Sequence, residues 1–254
     1  MLEPIPLSLS FAGLDPSPGS PWSGGVREAI SWAQGLGARY VRLDAAAPGV
    51  RARELDRSAR RDLGGLLRRR ELVFTGLDLW IPSAHFERAE HVDRAVDACL
   101  GAIRLAGDLA RLGDSAWAPV LSVALGESPA EGVVASLERT AMESGVVVAD
   151  HGMGGHTPSL GLGIDPASVL LGGEDPARLA AGGGVASARL SDADGSGRRP
   201  VGADGRLDVS AYGAALSVGG YARDVVIDLR GLVSQDEAAR RAMDVWRSST
   251  SLPG

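Results

Sequence analysis

The stretch Gly145–Pro166, GVVVADHGMGGHTPSLGLGIDP, constrains the fold more than any other part of this chain. It reads as two short buried strands, Val146–Ala149 and Leu160–Ile164. The first runs into Asp150-His151 and the second into Asp165. A hydrophobic strand that ends in a carboxylate, twice in succession, predicts a parallel sheet whose C-terminal edge carries the chemistry.

The rest of the chain repeats the pattern. Further strands are expected at Pro6–Phe11, Arg39–Asp44, Leu72–Trp80, Pro119–Leu125, Val185–Ser191 and Asp224–Leu229. Helical periodicity or helix-start signals cover Val26–Leu36, Arg51–Arg70, His91–Leu112, Pro129–Ser144, Asp165–Leu171, Asp175–Ala181, Leu207–Val218 and Ser234–Arg247. Eight strands, mostly separated by helices, in 254 residues predict one (β/α)8 TIM barrel, with residues 1–254 as a single domain. Only ten residues, Asp150–Ser159, separate strands five and six, so the helix there is shortened or missing. Asp192–Arg206 reads as a polar, Gly-rich loop. An open doubly wound sheet is the competing architecture, and no GxGxxG follows the first strand.

Composition narrows the function classes. With 32 acidic and 26 basic side chains the net charge is −6, which argues against nucleic acid as a partner. The chain contains no lysine, which excludes Schiff-base and lysine general-base mechanisms. Cys99, the single cysteine, lies in an apolar helical stretch and reads as a packed core thiol. Residues 1–20 carry neither a basic region nor a long apolar run, and no run of about 18 apolar residues follows. A cytoplasmic protein without a membrane partner is expected, and a homo-oligomer stays open. No GxSxG, HExxH, P-loop or CxxC is present.

Each expected strand has an aliphatic face and a mixed face. In a barrel the aliphatic face packs under helices and the mixed face points inward. The inward set is then Ser8, Ser10, Tyr40, Arg42, Asp44, Asp78, Trp80, Ser122, Asp150, Asp165, Ser187, Arg189, Asp228 and Arg230. Its polar members cluster towards strand C-termini. Two readings follow: a ligand site at the mouth, or a self-neutralising network in which Arg42, Arg189 and Arg230 pair with the aspartates. His151 joins the set as a metal ligand or acid/base group with an intrinsic pKa near neutrality. Trp80 and His85 are candidates for an apolar wall against a sugar ring, and Asp192 for a further ligand contact. His156 reads as an exposed loop residue, with folding over the site as the alternative, His91 reads as structural, and whether Asp15 and Trp22 in the first loop reach the mouth stays open.

Three segments carry a family resemblance: VVVADHG at 146–152, GIDPASVLLGGEDP at 163–176, and SARLSDADGSGRRPVGADGRLDVSAYGAALSVGGYARDVVIDLRG at 187–231. They resemble strands five to eight of the xylose isomerase-like TIM barrels, which include sugar-phosphate isomerases and epimerases. The resemblance implies a divalent metal (Mn, Mg, Co or Zn) held at strand ends and proton transfer between two carboxylates. Carried over, the strand-five Glu position holds Asp150 and the strand-six Asp is Asp165. The His three residues later is Ser168, the strand-seven His position is Arg189, and the strand-eight Glu position is Asp228. Both imidazoles of the family's metal site are therefore replaced.

The expected function is a sugar or sugar-phosphate isomerase/epimerase-like protein acting on a small sugar-like molecule. Asp150, Asp228 and His151 are the candidate proton-transfer groups. Arg42, Asp78, Trp80, His85, Asp165, Arg189, Asp192 and Arg230 are the candidate substrate contacts, with Arg189 as an electrostatic replacement for the metal. The alternative is a barrel that binds a ligand or partner without turnover.

Overall fold

A computed structural model describes residues 5–113, 115, 117–152, 159–202 and 204–250. Strands β1 (Leu7–Ser10), β2 (Tyr40–Asp44), β3 (Val73–Asp78), β4 (Val120–Val123), β5 (Val147–Asp150), β6 (Gly161–Ile164), β7 (Val185–Leu190) and β10 (Val225–Ile227) form a closed parallel barrel. The order around it is β1-β10-β7-β6-β5-β4-β3-β2. The two remaining strands, β8 (Asp192–Asp194) and β9 (Gly197–Arg199), make a separate antiparallel hairpin. The Gly-rich loop expected there is thus partly ordered, because Asp194 accepts the backbone N–H groups of Ser196 and Gly197 and closes a tight turn.

Helices α1 (Val26–Gly35), α2 (Arg57–Arg69), α3 (Ala89–Arg111), α4 (Val133–Ser144), α5 (Pro166–Leu171), α6 (Pro176–Ala181), α7 (Val209–Val218) and α8 (Gln235–Thr250) alternate with the strands. The eight-stranded α/β barrel read from the sequence is the fold found. Boundaries moved where a cap overrides periodicity. Asp56 accepts the N–H of Ala59 and starts α2 six residues later than expected, with a separate 3-10 turn at Ala52–Glu54 before it. The expected loss of the helix between β5 and β6 falls on Asp150–Ser159, of which residues 153–158 lie outside the described residues.

The core lies between barrel and helices. Val41, Leu43, Leu77, Leu121, Val148 and Ile227 on the strands are buried against Ile30, Leu63, Ile103, Leu137 and Trp246 on the helices. Cys99 is buried in the same layer, and burial pushes its thiol up to about 12. It is an inert packing group.

One irregularity reverses an expected alternation. Val41 pairs with Phe74, but Arg42 pairs with Gly76, so Thr75 is an extra residue in β3. Thr75, expected on the outer face, instead hydrogen-bonds to Ser8 inside the barrel at 3.1 Å. Gly76 permits this approach: a Cβ there would stand 2.1 Å from the carbonyl oxygen of Val120.

Candidate functional site

The polar interior is organised as two separate clusters. The lower one is built on Arg42. Its guanidinium contacts Asp224, the residue just before β10, through Nε at 3.3 Å, and donates to Ser122 and Ser187 at 3.1 and 2.9 Å. Thr75 completes the Asp224 carboxylate at 2.9 Å. Arg42 and Asp224 are both fully buried. Asp224 stands at the strand N-termini, so Arg42 is committed to the end of the barrel away from the mouth. Arg42, expected as a substrate contact, is placed here fully buried with its partners inside the barrel.

The upper cluster is centred on Arg189. Its Nη1 lies 2.9 Å from Asp78 Oδ2, and its Nη2 contacts the other carboxylate oxygen. This bidentate pair has no exposed surface. Ser10 donates to the same carboxylate. Burial opposes the charge on Asp78, but the arginine outweighs it and holds the carboxyl below its usual range.

Above this pair, Asp165 and Asp228 share two arginines. Arg230 Nε lies 2.9 Å from both oxygens of Asp228, and its Nη2 lies 2.9 Å from Asp165 Oδ2. Arg198, presented by the β8–β9 hairpin, meets Asp165 at 2.9 Å and Asp228 at 3.1 Å. Ser191 and Ser168 donate to Asp165 at 2.6 and 3.1 Å. Burial opposes both charges, and Arg198 and Arg230 overcome it, so both carboxyls lie below the usual range. Three carboxylates (Asp78, Asp165, Asp228) thus meet three guanidiniums (Arg189, Arg198, Arg230) in a neutral lattice.

Trp80 and His151 close one side of the lattice. The Arg230 guanidinium stacks 3.7 Å from the Trp80 ring centroid and that of Arg189 lies 5.0 Å away. The His151 ring stands edge-on to Trp80 at 5.4 Å. Gly163 makes its seat, since a Cβ there would come within 2.5 Å of the imidazole. Both ring nitrogens of His151, the Trp80 Nε1 and the Arg189 Nε are buried with no hydrogen-bond partner among the described residues. Burial first, then Arg189, lowers the His151 pKa well below 6.5, so the imidazole is neutral at physiological pH. Unpaired buried donors and acceptors of this kind call for an occupant, a ligand or water.

The other expected contacts divide. Asp150 sits at the end of β5, where its Oδ1 accepts the backbone N–H of Leu125 and of Gly152, both at 2.9 Å. It fastens the ends of β4 and β5 to one another. Asp192 accepts three backbone N–H groups, from Ala193, Arg206 and Leu207, at 2.8 to 2.9 Å. It anchors the hairpin that carries Arg198. His85 stacks on His91 at 4.6 Å rather than on Trp80. Trp22 packs on Trp32 at 4.4 Å and donates to the carbonyl of Asp15. His156 lies outside the described residues.

The donor set does not fit a divalent metal. Asp165 and Asp228 already receive two guanidiniums each, Ser168 donates to Asp165, and Arg189 adds a fixed positive charge beside them. Among the described residues no group of three or more His, Cys, Asp or Glu is arranged to hold a metal ion.

No protein-family model and no curated protein sequence matches the chain. Solved structures do. A xylose isomerase domain protein from Planctomyces limnophilus superposes with a TM-score of 0.69 at 17% identity, over 97% of this chain and 98% of that one. The chain shares the (β/α)8 barrel fold of that protein. A D-psicose 3-epimerase solved in the presence of D-fructose gives 0.70 at 12% identity, over 97% and 99% of the two chains. A xylose isomerase-like TIM barrel protein from Mycobacterium smegmatis, in complex with magnesium, gives 0.66 at 12% identity, over 97% and 98%. The fold is shared with these proteins over 97% of the chain, at 12–17% sequence identity.

Sequence reasoning missed Arg198 and Asp224. Arg198 lies in a segment read as loop, where the DGSG turn was the available signal for a hairpin. Asp224 was placed inside a strand rather than just below it.

Proposed function

We propose that the barrel mouth binds a small polyhydroxylated, sugar-like molecule without a divalent metal, and does not run the two-carboxylate proton transfer of sugar isomerases. One observation carries this: every carboxylate of the upper cluster is neutralised by arginine. A carboxylate held below its usual range is a weak proton acceptor, which bears on Asp228 directly. A lattice neutral overall, with indole, imidazole and guanidinium N–H groups lacking partners, suits hydroxyl and carbonyl oxygens better than a strong anion. The structural neighbours, one of them an epimerase solved with D-fructose, support a sugar-like ligand.

A second reading has its own support. His151 is buried beside Trp80, and neither ring nitrogen has a hydrogen-bond partner among the described residues, as suits an acid/base group that faces a ligand. On this reading proton transfer next to a carbonyl runs through His151 alone.

One experiment separates them. The protein is incubated in D2O with a panel of ketoses and ketose phosphates, with and without Mn. Binding is followed by thermal shift and exchange at carbon by mass spectrometry. Stabilisation by a ketose without exchange supports binding alone. Metal-independent exchange that is lost in His151→Gln supports the second reading. Exchange that requires Mn defeats both.

A further inference from the structure

The end of the barrel away from the mouth holds a cavity. It measures about 910 Å³ and opens among the first residues of β1 and β2, the segment before β4 and the last turns of α8. Its wall is aromatic. The rings of Tyr40 and Trp117 lie 5.6 Å apart, and Trp246 is locked by its indole N–H to the carbonyl of Ile5 at 3.1 Å.

Its rim is cationic. The Arg39 guanidinium lies 5.6 Å from the Tyr40 ring centroid, and Arg223 donates to the carbonyl of Ala118 at 2.8 Å. Neither meets a carboxylate among the described residues, whereas Arg42, Arg189, Arg198 and Arg230 all do. No Asp or Glu occurs among the described residues lining the cavity. That is a marked local reversal in a chain with 32 acidic and 26 basic side chains. A smaller adjoining cavity shares Arg39 and adds Arg68 and Arg70, opposed by Glu71 alone.

Guanidiniums without counter-charges hold carboxylates and phosphates through charge-assisted hydrogen bonds, and aromatic walls hold flat rings. A cavity of this size with an apolar wall and a few convergent polar groups is the usual form of a small-molecule site. We propose that this N-terminal cavity binds a small aromatic anion, a ring bearing a carboxylate or phosphate, with Arg39 and Arg223 on the anion and Tyr40 and Trp117 against the ring. The site is independent of the mouth and of any reading of it.

The test is isothermal titration of the full chain at low salt with phenyl phosphate and benzoate, against phenol and inorganic phosphate. At least one aromatic anion binds saturably, and about tenfold or more tighter than phenol or inorganic phosphate. The Arg39→Ala/Arg223→Ala variant loses that affinity by about tenfold or more. Arg39 is exposed and Arg223 half-buried, so the variant keeps its fold, which circular dichroism verifies. Absence of saturable binding by both anions overturns the assignment. So does affinity unchanged in the variant, or equalled by phenol or inorganic phosphate.

Discussion

Arg189 and Asp78 face each other across the barrel interior in a bidentate ion pair with no exposed surface. Arg189 occupies the position at which the sequence resemblance implies a metal-binding histidine. A guanidinium cannot ligate a metal but supplies a fixed charge in its place. The pair therefore occupies both oxygens of Asp78 and puts a positive charge where a divalent metal would have to sit.

Breaking the pair leaves a buried charge alone. Arg189→Met is expected to lower stability by about 3–5 kcal/mol, and the double variant Arg189→Met/Asp78→Leu to regain most of that loss. Urea denaturation of the two single variants and the double variant gives the coupling directly.

Gly163 and His151 are in contact by necessity. Gly163→Ala places a methyl within 2.5 Å of the imidazole, so His151 must leave its seat beside Trp80. A cost of about 1–3 kcal/mol is expected from this overpacking. Thermal unfolding measures it, and near-ultraviolet circular dichroism reports the changed surroundings of Trp80.

Acid stability should decline in two stages. His151 is held neutral in the folded chain, its pKa lowered by burial and then by Arg189. The unfolded chain takes up that proton first as pH falls through about 6.5, so stability drops from there downward. Asp78, Asp165 and Asp228 also have lowered pKa values, because their arginines outweigh burial. Their contribution is complete above about pH 4 and is lost on further acidification toward the folded-state values. Melting temperatures between pH 8 and pH 3 show both stages, and His151→Leu removes the upper one.

Removing the arginines that cap the carboxylates should expose metal affinity. In Arg198→Ala/Arg230→Ala, Asp165 and Asp228 lose their shared partners and stand close together with unscreened charge. Millimolar Mn is expected to raise the melting temperature of this variant by a few degrees and to leave the wild type unchanged. Differential scanning fluorimetry with a chelator control reads the difference.

The barrel was legible because eight apolar strands and their intervening helices obey periodicities that burial enforces on any sequence. Register was less so. The extra residue at Thr75 is invisible to an alternation rule, and it turned an outer-face residue into an interior one. The carboxylate ring was visible at the strand ends, in Asp78, Asp150, Asp165 and Asp228, since each follows or ends an apolar run. Partner choice was not. Arg42 and Arg189 look equivalent in sequence, yet one reaches Asp224 below the barrel and the other Asp78 near its mouth. Long side chains travel several residues along the axis, so strand position alone does not set which carboxylate they meet. Arg198 stayed hidden because its hairpin belongs to no barrel strand.

Arginines, not a divalent cation, neutralise Asp78, Asp165 and Asp228 at the mouth. Elemental analysis of the purified full chain, after dialysis against a mixture of Mn, Mg, Co and Zn and removal of free ions, tests this most directly. Well below one equivalent of each metal and a melting temperature unmoved by chelator are expected. About one tightly held equivalent per chain, with stability lost on chelation, would contradict neutralisation by arginine.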